Sequence, residues 1–293
     1  MNWYDQISKI SKGVFILTPP HFYSYLFAGK DLAIVDTGPG VMIPWVPPVY
    51  PIILNSIKLF NFDRTLVKWI LVTEPHPDHI GGLKNLLDAL PNSTVVTSKR
   101  NVDELGENFK ERCKIVEKDD EIDLGEERIK VLETPGHSEG EISFYKVNDG
   151  ALACADTCGF LYLREKKIMI PAPHYNFRAV IDSIQQIRKL KPKILLTGHN
   201  GAMTGIAIEE YLDNSEKAIQ KWEKEIKVNL EQPRTMDQLN EILIKKFSEM
   251  SLCPNPHQTS MITEAMTRVL KSEGKIIDKT EKGKIFWKSV STN

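Results

Sequence analysis

Leu71-Val72-Thr73-Glu74-Pro75-His76-Pro77-Asp78-His79-Ile80-Gly81-Gly82 is the stretch on which the fold of this chain turns. It lies where an apolar run ends and an amphipathic one begins. Val67 to Thr73 has the pattern of a buried strand, and Ile80, Leu83, Leu87 and Leu90 recur at helical spacing with Leu86 beside them. Glu74, His76, Asp78 and His79 therefore fall on a strand-to-helix loop, which can fold back and let all four converge. A single His there would read as a polar turn. Two His, an Asp and a Glu at this density point instead to a metal site. Gly81 and Gly82 let the helix begin close beneath it.

Working outward, the same pattern returns. Val14 to Leu17, Tyr23 to Ala28 and Leu32 to Val35 read as three short strands, turned at Pro19-Pro20 and at Gly29-Lys30-Asp31. The third ends in Val35-Asp36-Thr37-Gly38. Asp36 is either part of a simple turn or an acceptor that orients a ligand His behind the metal loop. Pro39 to Pro51 is too rich in proline for helix or central strand and reads as a stiff loop. A helix through Ile52 to Leu59 leads into the opening strand. After Thr94 to Thr97, residues 100 to 127 are highly charged and read as a solvated helix and loops.

Ile129 to Leu132 is a strand that ends at Gly136-His137. Ile142 to Val147 and Ala151 to Ala155 form a hairpin across Asn148-Asp149-Gly150, and its second strand ends at Asp156. Phe177, Ile181, Ile184, Ile187 and Leu190 give a helical face. Ile194 to Thr197 then ends at Gly198-His199. Taken singly, His137, Asp156 and His199 are ordinary structural or surface residues. Four strands that each end in a His or an Asp build one site at one sheet edge, with the order of a two-metal centre.

This ordered set resembles the metallo-beta-lactamase superfamily. That family's first motif is His-x-His-x-Asp-His, followed by a His in a Gly-His turn, a bridging Asp and a final His. The resemblance covers roughly residues 10 to 205. It implies an α/β (α+β) fold, a four-layer αββα sandwich with metals at one edge of two sheets. It also implies a metal-dependent hydrolase that uses a metal-bound hydroxide. Carried over by position, Glu74, His76 and His137 would hold one ion, and Asp78, His79 and His199 a second. Asp156 would bridge the two, and Asp78 would also move a proton. The cofactor is then one or two divalent ions, zinc first and manganese or iron as alternatives. The chain departs from the family at Glu74, which stands where the family has its first His. A carboxylate is a harder, anionic ligand that favours manganese or iron and lowers the acidity of bound water. Glu74 could coordinate directly, weaken the first site, or leave a binding module without catalysis. Between Asp156 and His199 the family shapes its substrate pocket; here that region holds Phe160, Tyr162, Pro171, Pro173, His174 and Tyr175. His174 reads first as a loop residue and second as a hydrogen-bond donor to substrate.

A long amphipathic helix through Ile208, Tyr211, Leu212, Ile219, Trp222 and Ile226 follows. Gln232-Pro233-Arg234 breaks the chain, which suggests a main domain over residues 1–230 and a small one over 231–293. Two more helices, around Leu239 to Phe247 and Met261 to Leu270, precede a lysine-rich hairpin at Lys275 to Lys279 and Lys284 to Lys288. Helices followed by a hairpin resemble a winged helix, a tail that some hydrolases and endoribonucleases of that superfamily carry. Its lysines read as a solvated edge more than a phosphate-binding surface. A packing or homodimer role is preferred.

Composition narrows the classes. The 38 basic and 39 acidic residues leave a net charge of −1, with no global pull toward nucleic acid or anionic membrane. No apolar run is long enough to span a membrane, and Met1 to Asp5 lacks the basic start of a signal peptide. The four cysteines have no zinc-finger spacing, so free buried thiols and a cytoplasmic setting are expected. The expected partner is a small molecule. An ester, thioester or lactone is the leading substrate class, with a phosphodiester or RNA as the alternative.

Overall fold

The computed structural model describes residues 7–18, 21–40, 48–173, 175–249 and 255–290. Two sheets carry the fold. The first has seven strands in sequence order: β1 (Ser8–Lys9), β2 (Val14–Ile16), β3 (Tyr25–Ala28), β4 (Leu32–Val35), β5 (Val67–Leu71), β6 (Thr94–Thr97) and β7 (Cys113–Ile115). Neighbours are antiparallel from β1 to β4 and parallel from β4 to β7. The second sheet uses β8 (Glu121–Asp123), β9 (Arg128–Glu133), β10 (Ile142–Lys146) and β11 (Ala151–Ala153). A hairpin of β12 (Leu161–Leu163) and β13 (Ile168–Ile170) intervenes before β14 (Ile194–Thr197) and β15 (Gly201–Thr204) complete that sheet. Its order is β15-β14-β11-β10-β9-β8.

Alternation along the strands sorts side chains into three apolar layers. Phe27, Ala33, Val35 and Leu71 face Val131, Phe144, Ala153 and Leu196 between the sheets. Their neighbours Leu26, Ile34 and Ile70 point the other way, onto α1 (Tyr50–Leu59) and α3 (Leu83–Ala89) through Ile53, Ile57, Leu83 and Leu86. On the far side Leu132, Leu152 and Leu195 meet α6 (Phe177–Leu190) and α7 (Ile206–Asn229) through Val180, Ile184, Tyr211 and Leu212. Helix, sheet, sheet, helix is the expected αββα order. Since β9 and β11 both run against β10, and β14 runs with β11, all three end at the same edge of the second sheet. Strands β4 and β5, parallel to each other, end together in the first.

Several local expectations need correction. The helix expected from Ile80 onward is two pieces, α2 (Pro77–Ile80) and then α3. The break has a packing cause. Gly82 N–H donates to Gly38 O, and a Cβ on Gly81 would come within 2.3 Å of the Gly40 nitrogen. Two backbones touch there, and only glycine allows it. The charged span 100 to 127 hides β7 and β8 beside α4 (Lys99–Leu105) and α5 (Glu107–Lys110). Ile122 is buried, but charged Glu121 and Asp123 flank it, too short an alternation to read. Strands β12, β13 and β15 were also not anticipated.

Beyond α7 lie two helices, Met236–Glu249 and Pro256–Ser272, and a hairpin, Ile276–Glu281 with Lys284–Ser289. Leu239, Leu243, Phe247, Ile262, Met266 and Ile276 share one apolar cluster with α7, where Trp222 stacks on Phe247 at 4.1 Å. Cys113, Cys154 and Cys158 are free, the last two buried; Cys253 lies outside the described residues. Among the described residues no helix is long and apolar enough to cross a membrane.

Candidate metal centre

Seven side chains from four strand ends meet at the shared edge. Potential ligand atoms of Glu74, His76 and His137 lie within 4.8 Å of one another, as do those of Asp78, His79 and His199, and those of Glu74, His79 and Asp156. The opening loop supplies Glu74, His76, Asp78 and His79. The ends of β9, β11 and β14 supply His137, Asp156 and His199. Asp156 Oδ2 sits 3.0 Å from His199 Nε2, 3.8 Å from His79 Nε2 and 4.0 Å from His137 Nε2. Asp78 Oδ2 is 3.3 Å from His199 Nε2 and 4.0 Å from His79 Nε2. Glu74 Oε2 touches His76 Nδ1 and lies 3.1 Å from His137 Nε2, while Oε1 lies 3.3 Å from His79 Nε2.

Three of the imidazoles are fixed from behind. His79 Nδ1 donates to Asp36 Oδ2 at 3.0 Å, His137 Nδ1 to the Pro173 carbonyl at 3.1 Å, and His199 Nδ1 to the His21 carbonyl. A carboxylate or a carbonyl only accepts, so each ring holds a proton on Nδ1 and turns Nε2 inward, free to ligate a metal once any second proton has left it. Asp36 thus stands behind His79, where an orienting acceptor would be. It also accepts from Thr73 N–H at 3.0 Å and from the Thr73 hydroxyl. Backbone strain collects around these residues: His21, Asp36 and Ala155 all have positive φ. Each costs on the order of 1–3 kcal/mol, tolerated where the surroundings hold the residue in place.

The donor set fits divalent metal. Glu74 Oε1, His79 Nε2, Asp156 Oδ1 and His199 Nε2 are buried, yet none has a hydrogen-bond partner. Buried polar atoms are almost always satisfied, so four orphans within one cluster make it a candidate place for cations. Ligand atoms of one tetrahedral ion at ~2.1 Å stand about 3.4 Å apart, close to the 3.0–3.3 Å separations here. Electrostatics agree. Burial works to depress His137 and His199, but the Glu74 carboxylate beside the first and Asp156 beside the second push both up to about 10. Burial works to raise Glu74, but the charges of His137 and His79 hold it well below the usual carboxylate range. In metal-free protein, protons do part of the neutralising that a cation would do.

Access is from one side. The His76 side chain is 43% exposed and that of Asp78 32%, whereas Glu74 is fully buried. Phe22 and Phe160 pack edge-on against His199, with ring centroids 5.7 and 4.7 Å away. Tyr175 is largely exposed, and its backbone N–H holds the His137 carbonyl; His174 lies outside the described residues. Sequence reading missed Phe22 and Glu141. The Glu141 side chain is buried with both oxygens unpartnered, and burial with the charge of Glu74 pushes its carboxyl well up. An acid entering the apolar strand Ile142–Lys146 was the available signal.

Comparison with known proteins places the fold. A hydroxyacylglutathione hydrolase of Prochlorococcus marinus is 33% identical over 117 residues, which are 36% of this chain and 45% of that protein. The chain spans less than half the length of the first such relatives. The structure of a beta-lactamase domain protein from Burkholderia ambifaria superposes with a TM-score of 0.74 at 16% identity, covering 97% of this chain and 93% of that one. A B3 metallo-beta-lactamase described as having an active-site glutamic acid superposes with a TM-score of 0.56 at 19% identity, over 74% of this chain and 89% of that one. Residues 19–199 match the family model of this fold, and the chain belongs to the metallo-beta-lactamase superfamily.

Proposed function

We propose that the protein is a metal-dependent hydrolase of carbonyl substrates, a thioester first and an ester or lactone next. The observation that carries this reading is the meeting of two ligand groups around the shared Asp156, open to solvent on the His76 side. Glu74, His76 and His137 would hold one ion and Asp78, His79 and His199 another, with Asp156 between them. Bound there, divalent ions supply a water nucleophile near neutral pH and polarise the carbonyl oxygen. The chain's own part is orientation and proton movement. Asp36, Pro173 and His21 hold the rings by Nδ1, and Asp78, partly exposed beside His199, stands at the mouth to take a proton and return it to the leaving group. Phe22 and Phe160 offer apolar ring edges to an acyl group.

The thioester is preferred because several curated relatives are named hydroxyacylglutathione hydrolase, a name that denotes an acyl group carried by glutathione. The phosphodiester reading gains little from the tail. Lys271, Lys275 and Lys279 are paired with Asp278, Glu273 and Glu281, which leaves less free charge than the lysine content suggests. The reading as a binding module that has lost its first site fits poorly with Glu74 pointing into the cluster. The resemblance puts zinc first, and the third carboxylate shifts the preference toward manganese or iron.

Metal content and turnover test this together. Two equivalents per chain, with hydrolysis of a thioester within a panel of thioesters, lactones, β-lactams, bis-p-nitrophenyl phosphate and RNA, are expected. Asp156→Asn and His199→Ala should keep the fold and lose turnover. Cleavage of RNA alone, or full activity in either variant, would overturn the proposal.

A further inference from the structure

We infer that Glu74 is a second bridge between the two ions, one carboxylate oxygen to each, and not a one-for-one replacement of a terminal histidine. This inference rests on the two-metal reading above. The two oxygens of Glu74 face different partners: Oε2 touches His76 Nδ1 and is 3.1 Å from His137 Nε2, whereas Oε1 is 3.3 Å from His79 Nε2. Glu74 is accordingly the one residue common to the group with His76 and His137 and the group with His79 and Asp156. Oε1 is buried and has no hydrogen-bond partner, so no protein donor competes for it.

The chemistry of the side chain makes the difference. A histidine at this position could aim a single nitrogen at the centre, because its two ring nitrogens diverge. A carboxylate offers two oxygens about 2.2 Å apart, each with free lone pairs. With Asp156 also shared, the pair would be spanned by two carboxylates and capped by four imidazoles. Such a set is richer in hard oxygen donors than a histidine-led one. It suits Mn(II) or Fe(II) better than it suits Zn(II).

The test uses the full chain and Mn(II) alone as probe. Stepwise titration with free Mn(II) read by electron paramagnetic resonance should show two equivalents bound, the second no more than ~10-fold weaker than the first. Glu74→His still supplies a ligand to the His76 and His137 group but nothing to His79. It should weaken one equivalent by tenfold or more, and Glu74→Gln should do the same with a side chain of native shape. A crystal structure of the Mn(II)-loaded protein should place Glu74 Oε1 on one ion and Oε2 on the other. Two equivalents bound by Glu74→His as tightly as by the native chain, or both ions bound with only one Glu74 oxygen in contact, would overturn the inference. So would native protein that binds fewer than two equivalents of Mn(II), Fe(II) and Zn(II) alike. Bridged ions with no hydrolysis of any panel substrate would leave the bridge standing and sink the proposed function instead.

Discussion

Asp36→Asn is the most informative single substitution, because it keeps the volume of a buried side chain and reverses the polarity of one atom. Asp36 Oδ2 accepts from His79 Nδ1 at 3.0 Å and from the Thr73 hydroxyl at 2.8 Å, while Oδ1 accepts from Thr73 N–H at 3.0 Å. In the amide, the oxygen can keep the Thr73 N–H, and the NH₂ group then faces the His79 N–H, donor against donor. The ring can escape this clash only by moving its proton to Nε2, the atom that would face a metal, and either way one donor is unpaired, at Nδ1 or at Nε2. Leaving one buried donor unpaired costs roughly 1–3 kcal/mol. Loss of the partner behind a ligating histidine typically weakens metal binding 10–100-fold. We therefore expect a fall in unfolding free energy of about 1–3 kcal/mol and at least ~10-fold weaker retention of one metal equivalent. Denaturant unfolding of metal-free protein and competition against a chelator measure the two separately. Thr73→Val is the control: it removes the hydroxyl contact and should cost about 1 kcal/mol while metal retention holds. An Asp36→Asn protein whose metal retention stays within threefold of native would refute the argument that Asp36 sets the His79 tautomer.

Four other outcomes follow from the geometry. The folded-state pKa values of His137 and His199 are raised to about 10, so in metal-free protein their stabilising contribution is complete below the unfolded value of ~6.5. It is lost as pH rises through 10, and the melting temperature of metal-free protein should fall over that window; a flat profile would count against the charged cluster. Gly198→Ala would put a Cβ 2.6 Å from Asp156 Oδ1 and 2.7 Å from His79 Cε1, so calorimetry should show ~1–3 kcal/mol of destabilisation, with metal lost on dialysis. Phe22→Ala and Phe160→Ala should lower kcat/KM for hexanoyl thioesters ~10-fold more than for acetyl thioesters, since each buried methylene is worth about 0.8 kcal/mol; equal losses for both would mean that the rings only brace His199. Trp222→Ala empties a fully buried site stacked on Phe247 and should cost about 3–5 kcal/mol. If the tail depends on α7 for its core, Trp222→Ala should lower the melting of both parts together in a calorimetric scan, and an unchanged upper transition would show otherwise.

How much of this was legible depended on how locally each feature is encoded. The opening loop could be read because its ligands are neighbours in sequence and its strand and helix have opposite periodicities. The later ligands were legible for a different reason: each follows a short apolar run, and His137 and His199 each sit beside a glycine; Gly198 shows why, since a Cβ there would strike Asp156 and His79. Edge strands were lost because an edge needs few apolar residues; Ile122 alone anchors β8. The supports behind the rings were the least visible. The carbonyls of His21 and Pro173 act through main-chain atoms, so no side-chain type marks those positions as supports. Phe22 was hidden likewise, because it reaches His199 only after β3 and β14 have been brought together across the sandwich. Tyr23 N–H fixes that approach by donating to Gly198 O at 2.8 Å.

Glu74 separates the order of motifs from what the motifs do. By order it fills a histidine's place, and that alone would predict a damaged first group. The geometry argues otherwise, because it is the most deeply buried of the three carboxylates and the one whose oxygens divide between both groups. Its charge has a cost. With two divalent ions bound, Glu74, Asp78 and Asp156 together would offset three of their four positive charges, so bound water would be held less acidic than beside two carboxylates. The compensation lies in retention, since an added anionic ligand strengthens the hold on hard cations. A centre built this way trades nucleophile acidity at neutral pH for affinity toward Mn(II) or Fe(II). Its rate should therefore keep rising with pH beyond the point where the Glu74→His protein has levelled off. Plateaus at the same pH for both proteins would show that the third carboxylate leaves the reacting water untouched.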